Sequence, residues 1–374
     1  MKIKQYQLKG DWKINDLVEK AVLVLVFGER GLIETNDISE KFKASFPAAN
    51  IVFCSTAGEI LDTGVNDNTL AVTAIEFDKS TIKTSLSNIS DFKDSYTAGK
   101  HLVEALEHDN LRHIIVLADG QMVNGSELVR GMNETLPDKV TISGGLAGDG
   151  SRFQKTLVGL DSNIVAGNIV AVGLYGNSLV IGHGSNGGWD SFGPYRKVTK
   201  SKSNVLYELE GKSALELYKQ YLGDLAEGLP GTALLFPLSI KINDSSEPVV
   251  RTVLSVSEEE QSMTFAGDIP EGSMARLMKA NFDRLIDAAS GAATNTFAPF
   301  NGMQPELALL ISCVGRKLVL DQRVDEEVES VRDILGEKTF MTGFYSYGEI
   351  SPLTKSNKCE LHNQTMTITA FSEI

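Results

Sequence analysis

The chain has 374 residues, 42% of them hydrophobic and 22% charged, and a formal net charge of -14. Such a composition describes a globular protein in water, and the length suggests two domains. The negative balance argues against nucleic acid and against an anionic membrane surface, since both are gripped through basic patches.

At the N-terminus, MKIKQYQLKGDWK has no apolar stretch of the length a secretory leader needs. No run of about 18 apolar residues follows, so no membrane span is expected. The run KAVLVLVFGER (20–30) predicts a strand ending at Gly28, and ETNDISEKFKASF (34–46) sets Ile38, Phe42 and Phe46 on one helical face. Strand-like runs follow at 50–60, 70–77 and 81–87, then a helix over 95–108. HIIVLADG (113–120) reads as a strand and NGSELVRGMNETL (124–136) as a helix capped by Asn124 or Ser126. TISGGLAGDG (141–150), NIVAVGLYG (168–176) and SLVIGHGS (178–185) return to strand. Ser213-x-x-Glu216 is a capping box ahead of Leu217, Tyr218 and Tyr221. TALLFPLSI (232–240) and PVVRTVLSV (248–256) predict strands, and 272–293 a long amphipathic helix capped at Ser273. LALLISCVGR (307–316) predicts a strand, 326–337 a helix closed near Gly336, and 338–350 and 365–373 the last strands. The expected fold is α/β, a two-part architecture of mixed sheets covered by helices. The polar, basic stretch 195–205 divides it into 1–200 and 201–374.

Three segments share the order strand–helix–strand–strand, which is either an internal repeat or the ordinary likeness of α/β units. Each middle strand ends in small residues followed by a glycine–acid pair: Gly58-Glu59, Gly148-Asp149 and Gly348-Glu349. Small residues at a strand's carboxyl end let a guest approach the backbone, and ligands of open α/β sheets sit there. Cys54, Ser55 and the three pairs are therefore candidate pocket residues. The competing reading is a close contact between elements followed by a glycine turn.

Other motifs fail on context. Gly182, Gly184 and Gly187 have dinucleotide spacing, but GWDSFGPYR follows where a helix should open. Gly211-Lys212-Ser213 has Leu206 where a phosphate loop needs glycine, and no G-x-S-x-G occurs. Cys359 and His362 are a lone pair, short of a zinc site's four ligands. The three cysteines, Cys54, Cys313 and Cys359, read as reduced thiols of a cytoplasmic protein. Cys54 is either a buried structural thiol or a nucleophile, the latter requiring a lowered pKa and a neighbouring base. His183 and His362 are either hydrogen-bonded structural residues or functional ones, as ligands to iron or donors to a carboxylate.

The sequence resembles the FIST family of sensory modules, which have an N-terminal and a C-terminal part. The resemblance is carried by FCSTAGEI (53–60), SGGLAGDG (143–150), GGWDSFGPYRKVTKS (187–201) and NVLYELEGKSALELYKQYLG (204–223). It continues through CVGRKLVL (313–320), TGFYSYGEI (342–350) and LHNQTMTITAFSE (361–373), spanning Ala21 to Glu373. It implies a bacterial, non-catalytic sensor of a small ligand, with the FIST N-terminal domain in 1–200 and the C-terminal domain in 201–374. No output domain follows in this sequence, so a separate partner is expected, such as a histidine kinase or a cyclic-di-GMP enzyme. Similar stand-alone members bind haem and sense nitric oxide. On that expectation His183 is the first candidate axial ligand, ahead of His362 and Cys54, with Arg196, Lys197 or Lys200 meeting the propionates. An amino-acid-like ligand would instead draw on Glu59, Asp149, Glu349, Arg196 and Arg316. The glycine-rich stretch 183–199, with Asn186, a Trp189–Phe192 wall and Asp190 and Arg196 as polar handles, is expected to be a rearranging loop at the junction. An enzyme using Cys54 is the third expectation.

Overall fold

The structure, a computed structural model, describes residues 1–9, 14, 18, 20–243, 248–352 and 358–374. The first of three units runs β1 (Lys2–Leu8), β2 (Leu23–Gly28), α1 (Arg30–Ile33), α2 (Ile38–Ser45), β3 (Asn50–Ser55), β4 (Glu59–Leu61), β5 (Gly64–Asn66) and β6 (Leu70–Glu76). The second runs β7 (Thr81–Asn88), α3 (Ser95–Glu104), β8 (Leu111–Ala118), α4 (Gly125–Thr135), β9 (Thr141–Leu146), β10 (Val158–Leu160), β11 (Asn163–Val165) and β12 (Asn168–Tyr175). The third opens with β13 (Leu179–Asn186) and is interrupted by an inserted module. The module comprises β14 (Asp190–Lys202), β15 (Val205–Leu209), β16 (Lys212–Ser213), α5 (Ala214–Leu222), β17 (Leu238–Lys241), β18 (Val249–Arg251), β19 (Val253–Ser257), β20 (Ser262–Phe265) and β21 (Met274–Lys279). The third unit resumes with α6 (Phe282–Asn295), β22 (Leu307–Cys313), α7 (Val314–Leu320), α8 (Val324–Leu335), β23 (Phe340–Ser346), β24 (Gly348–Pro352), β25 (Cys359–His362) and β26 (Met366–Glu373).

One connectivity is used three times. In each unit the two strands flanking the crossover helix pair in parallel: β2 with β3, β8 with β9, β22 with β23. The last strand then returns antiparallel beside the first of that pair, with an edge strand outside it. Each unit also gives its hairpin away. The hairpin β10–β11 completes the first sheet on β3, β24–β25 completes the second on β9, and β4–β5 completes the third on β23. The exchange closes into a ring.

The central strands read as unbroken apolar runs because both faces are covered. Leu25 and Phe27 of β2, Ile115 and Leu117 of β8, and Leu309 and Ile311 of β22 point into one shared core between the three sheets. Their alternate neighbours, such as Val24, Val116 and Leu310, face the outer layer. The inserted module has a core of its own, built from residues between Val198 and Leu277.

Several expected elements differ. The helix expected from Ser273 begins only at Phe282, where Asn281 Oδ1 accepts from the Arg284 amide at 3.3 Å. Met274–Lys279 is a strand, with Ala275 and Leu277 buried in the module core. Gly231–Leu235 is a tight 3₁₀ turn, and the strand expected over 232–240 is confined to Leu238–Lys241. The stretch 183–199 is not a loop. It belongs largely to β13 and β14, and register shifts between Phe192 and Arg196 absorb Gly193 and Pro194. The boundary at 200/201 falls inside β14. Asn124 and Ser213 cap α4 and α5 as expected.

Candidate functional site

The carboxyl ends of β3, β9 and β23 meet and interlock through their backbones. The Ala57 amide donates to Tyr345 O at 2.8 Å, Tyr347 to Leu146 O at 3.1 Å, and Gly148 to Ser55 O at 2.9 Å. Each unit's corner thus bonds to another's. This contact demands bare residues: a Cβ on Gly148 would stand 2.8 Å from the Ala57 nitrogen. Gly58 has φ +139°, a conformation that L side chains rarely adopt.

The acids of the corners point into protein. Glu59 accepts from the hydroxyls of Thr56 at 2.6 Å and Thr69 at 2.9 Å, and burial pushes its carboxyl up to about 7. Glu349 repeats the arrangement with Ser346 at 2.8 Å and Thr365 at 3.0 Å, and burial pushes it up to about 8. Asp149 is built differently. It accepts from the Tyr347 hydroxyl, from Arg30 Nη1 at 3.0 Å and from the amides of Gln154 and Lys155 at 3.1 Å each.

The remaining candidates are dispersed. Cys54 is fully buried, and desolvation raises its thiol well above the ordinary range. His183 Nε2 lies 3.0 Å from Thr141 Oγ1, its ring packs on His113 with centroids 5.1 Å apart, and burial holds its pKa down to about 4. His362 contacts Ser351 O at 3.3 Å and is likewise held to about 4 by burial. Asn186 is exposed at the end of β13. Trp189 Nε1 donates to Gln364 O at 2.7 Å, Asp190 pairs with Arg284, and Phe192 packs on the module core. Arg196 donates to Tyr221 Oη through Nη2 at 2.7 Å and to Glu210 through Nη1 at 2.6 Å. Arg316 is fully buried and bonded to Glu327. Among the described residues no group of three or more His, Cys, Asp or Glu side chains is placed to hold a metal ion.

A cavity of about 690 Å³ opens at the seam between the ring of units and the inserted module. Its body side is the strand–helix turn Gly120–Gly125 after β8 and the turn Cys313–Gly315 after β22, with Leu146 and Tyr347 from the corners. The module supplies Asn204, Thr252–Leu254, Phe265–Gly267 and the Pro230–Leu234 turn. None of the residues singled out from the glycine–acid corners lines it. Asp149 bears on it indirectly: it orders the loop after β9 and holds Tyr347, on which Phe153 stacks at 4.6 Å. Phe153 takes a left-handed φ of +51° to reach that place at the mouth. The sequence offered one overlooked signal, the glycine-bounded turn Gly120–Gly125 between an apolar strand and a capped helix.

A haem needs an axial donor at an apolar slot and cations for its propionates. His183 is hydrogen-bonded away from this cavity, burial raises the Cys313 thiol and the Tyr347 phenol in its wall and so disfavours the anions that would ligate iron, and no His, Lys or Arg is among the described lining residues. These residues do not fit a haem.

The family profile described as FIST N domain matches residues 22–212 of this chain, more than half of it, and that described as FIST C domain matches residues 214–352. The chain belongs to the FIST family. In FIST terms the cavity draws on both parts: the Gly120–Gly125 turn and Asn204 lie in the FIST N match, Thr252 and Cys313 in the FIST C match. An uncharacterized protein of Methanocaldococcus jannaschii is 24% identical over 357 residues, covering 85% of this chain and 64% of its own length. This FIST chain thus spans less than two thirds of that relative. Among solved structures, a cyanuric acid hydrolase from A. caulinodans aligns over 99% of each chain with TM-score 0.37 and 6% identity. A chorismatase aligns over 99% of this chain and 98% of its own with TM-score 0.36 and 9% identity. Likeness at that level carries no conclusion about this FIST protein.

Proposed function

We propose that this chain is a non-catalytic sensory protein that binds a small molecule in the seam cavity and relays its occupancy to a separate signalling protein, such as a histidine kinase or a cyclic-di-GMP enzyme. The observation that carries this reading is the cavity's position between two bodies with separate cores. A ligand acts as a signal only through differential affinity for two arrangements, and an occupant touching both bodies can discriminate between arrangements of the two. FIST membership points to the same sensory role. The wall chemistry favours binding over turnover: it holds amides, hydroxyls and hydrocarbon. Cys313, in the wall, has its thiol raised far above the ordinary range by burial, which makes it a poor nucleophile.

The test uses protein purified from haem-supplied cells. Its visible spectrum should lack a stoichiometric Soret band, and a metabolite panel should contain compounds that raise its melting temperature. A ligand at a hundred times its Kd stabilises by about 2.7 kcal/mol. A stoichiometric Soret band lost in His183→Ala would establish haem instead. Turnover abolished by Cys54→Ala would overturn the non-catalytic reading.

A further inference from the structure

We infer that the seam cavity selects an uncharged, mainly apolar small molecule that offers a hydrogen-bonding group to Thr252. This rests on the cavity being the ligand site. Among the described lining residues there is no Asp, Glu, Lys, Arg or His. A charged ligand would therefore be desolvated without a partner, which is heavily unfavourable.

The backbone does not fill that gap. A strand–helix turn such as Gly120–Gly125 is where a phosphate or carboxylate normally seats, but four of its six amides are already engaged. Gly120 N donates to Thr156 Oγ1 at 2.9 Å, Gln121 N and Met122 N to Asp119 Oδ1 at 2.7 and 2.8 Å, and Asn124 N to Ser95 Oγ at 2.9 Å. The carboxylate behind the turn would also repel an anion. Arg251 lies behind Gly267, and its guanidinium is spent on Asp268 O at 3.2 Å and Leu361 O at 2.8 Å, with Glu360 at 3.6 Å. A cation finds no better partner, since no carboxylate is among the described lining residues and those behind it are engaged: Asp119 by the Gln121, Met122 and Gly167 amides, Asp268 by Asn124, and Asp149 by Tyr347 and Arg30.

Two features say what the cavity does accept. Thr252 is 5% exposed and lines the wall, and its Oγ1 has no hydrogen-bond partner. A buried hydroxyl left unpaired is unfavourable and calls for a completing group. At the mouth, Met122, Phe153 and Leu254 are 53%, 41% and 46% exposed. Large apolar side chains gathered in water at a cavity entrance fit an apolar guest.

The experiment compares two fluorescent probes of one skeleton, neutral N-phenyl-1-naphthylamine and anionic 8-anilino-1-naphthalenesulfonate. The amine should bind the full chain at least tenfold more tightly than the sulfonate. Gly231→Phe should weaken the amine at least tenfold while leaving the circular dichroism unchanged, because Gly231 lines the cavity and a Cβ added there meets nothing within 4 Å. Sulfonate binding as tight as the amine's, and closed by Gly231→Phe, would overturn the uncharged class while leaving the cavity as the site. Amine binding that is absent, or untouched by Gly231→Phe, would overturn the cavity reading itself.

Discussion

Glu59 and Glu349 show how one side chain can resemble a binding group while serving the fold. Each carboxyl sits in a closed set of hydroxyls and is raised mainly by desolvation, to about 7 and about 8. Both keep their protons in the folded chain where the unfolded chain, titrating near 4.5, has lost them. Their contribution to stability is complete below that value and is lost as pH climbs through 7 to 8. His362 acts in the opposite sense: its contribution is present above 6.5 and is lost as pH falls toward 4. Glu59→Gln with Glu349→Gln should therefore flatten the decline in melting temperature between pH 5 and 9 and leave the acid limb in place; an unchanged alkaline slope would rule out these carboxyls as its source. At Thr252, replacement by Val removes an unpaired hydroxyl at nearly constant volume. The ligand-free protein should gain about 1 kcal/mol in urea unfolding. The sequence made the acids visible but not their partners, because Thr69 and Thr365 lie 10 and 16 residues away from the acids they bond.

At the scale of elements, Arg316 at the start of α7 is the busiest joint. It pairs with Glu327 of α8 in a fully buried contact and donates to Leu285 O of α6 at 2.8 Å and to Gly187 O, before the inserted module. Arg316→Ala should cost about 3–5 kcal/mol, because Glu327 would be left buried and unpaired. Arg316→Met combined with Glu327→Leu should recover much of that loss, and a double mutant as unstable as the single one would deny the ion pair this role. Element types were legible where periodicity was long and unbroken, as in β2, β8, β22 and α8. They failed at 272–293, where a strand and a helix abut. Ala275 and Leu277 alternate with period two, and Leu285, Ala288, Ala289 and Ala292 follow the helical period, so a single window sees one amphipathic run. The stretch 183–199 failed for another reason: its glycines and proline suggested a loop, whereas paired strands with register shifts between Phe192 and Arg196 accommodate them.

At the scale of the molecule, each of the three six-stranded sheets holds strands from two units, so no unit can complete its sheet alone. The three should unfold together. Amide exchange in β2, β8 and β22 should report one common global free energy, and a unit opening well below the others would contradict the ring. The repeat was legible in the sequence as strand order, but the hairpin exchange was not, because pairing between units leaves no trace in local periodicity. The candidate cavity was hidden for the same reason, since its walls come from stretches more than 190 residues apart, Gly120 and Gly315 among them.

The chain leaves the body after Gly188 and returns at Asn281, and most of the described residues between fold around an interior of their own, while Trp189 and Met278 pack on Leu285, Val319 and Leu320 of the body. Such a cassette lends itself to exchange: half of the candidate cavity's wall could be rewritten while the three six-stranded sheets keep their strands. Transplanting segment 189–280 from one family member into another should carry chemical preference with it and leave the downstream response to the recipient.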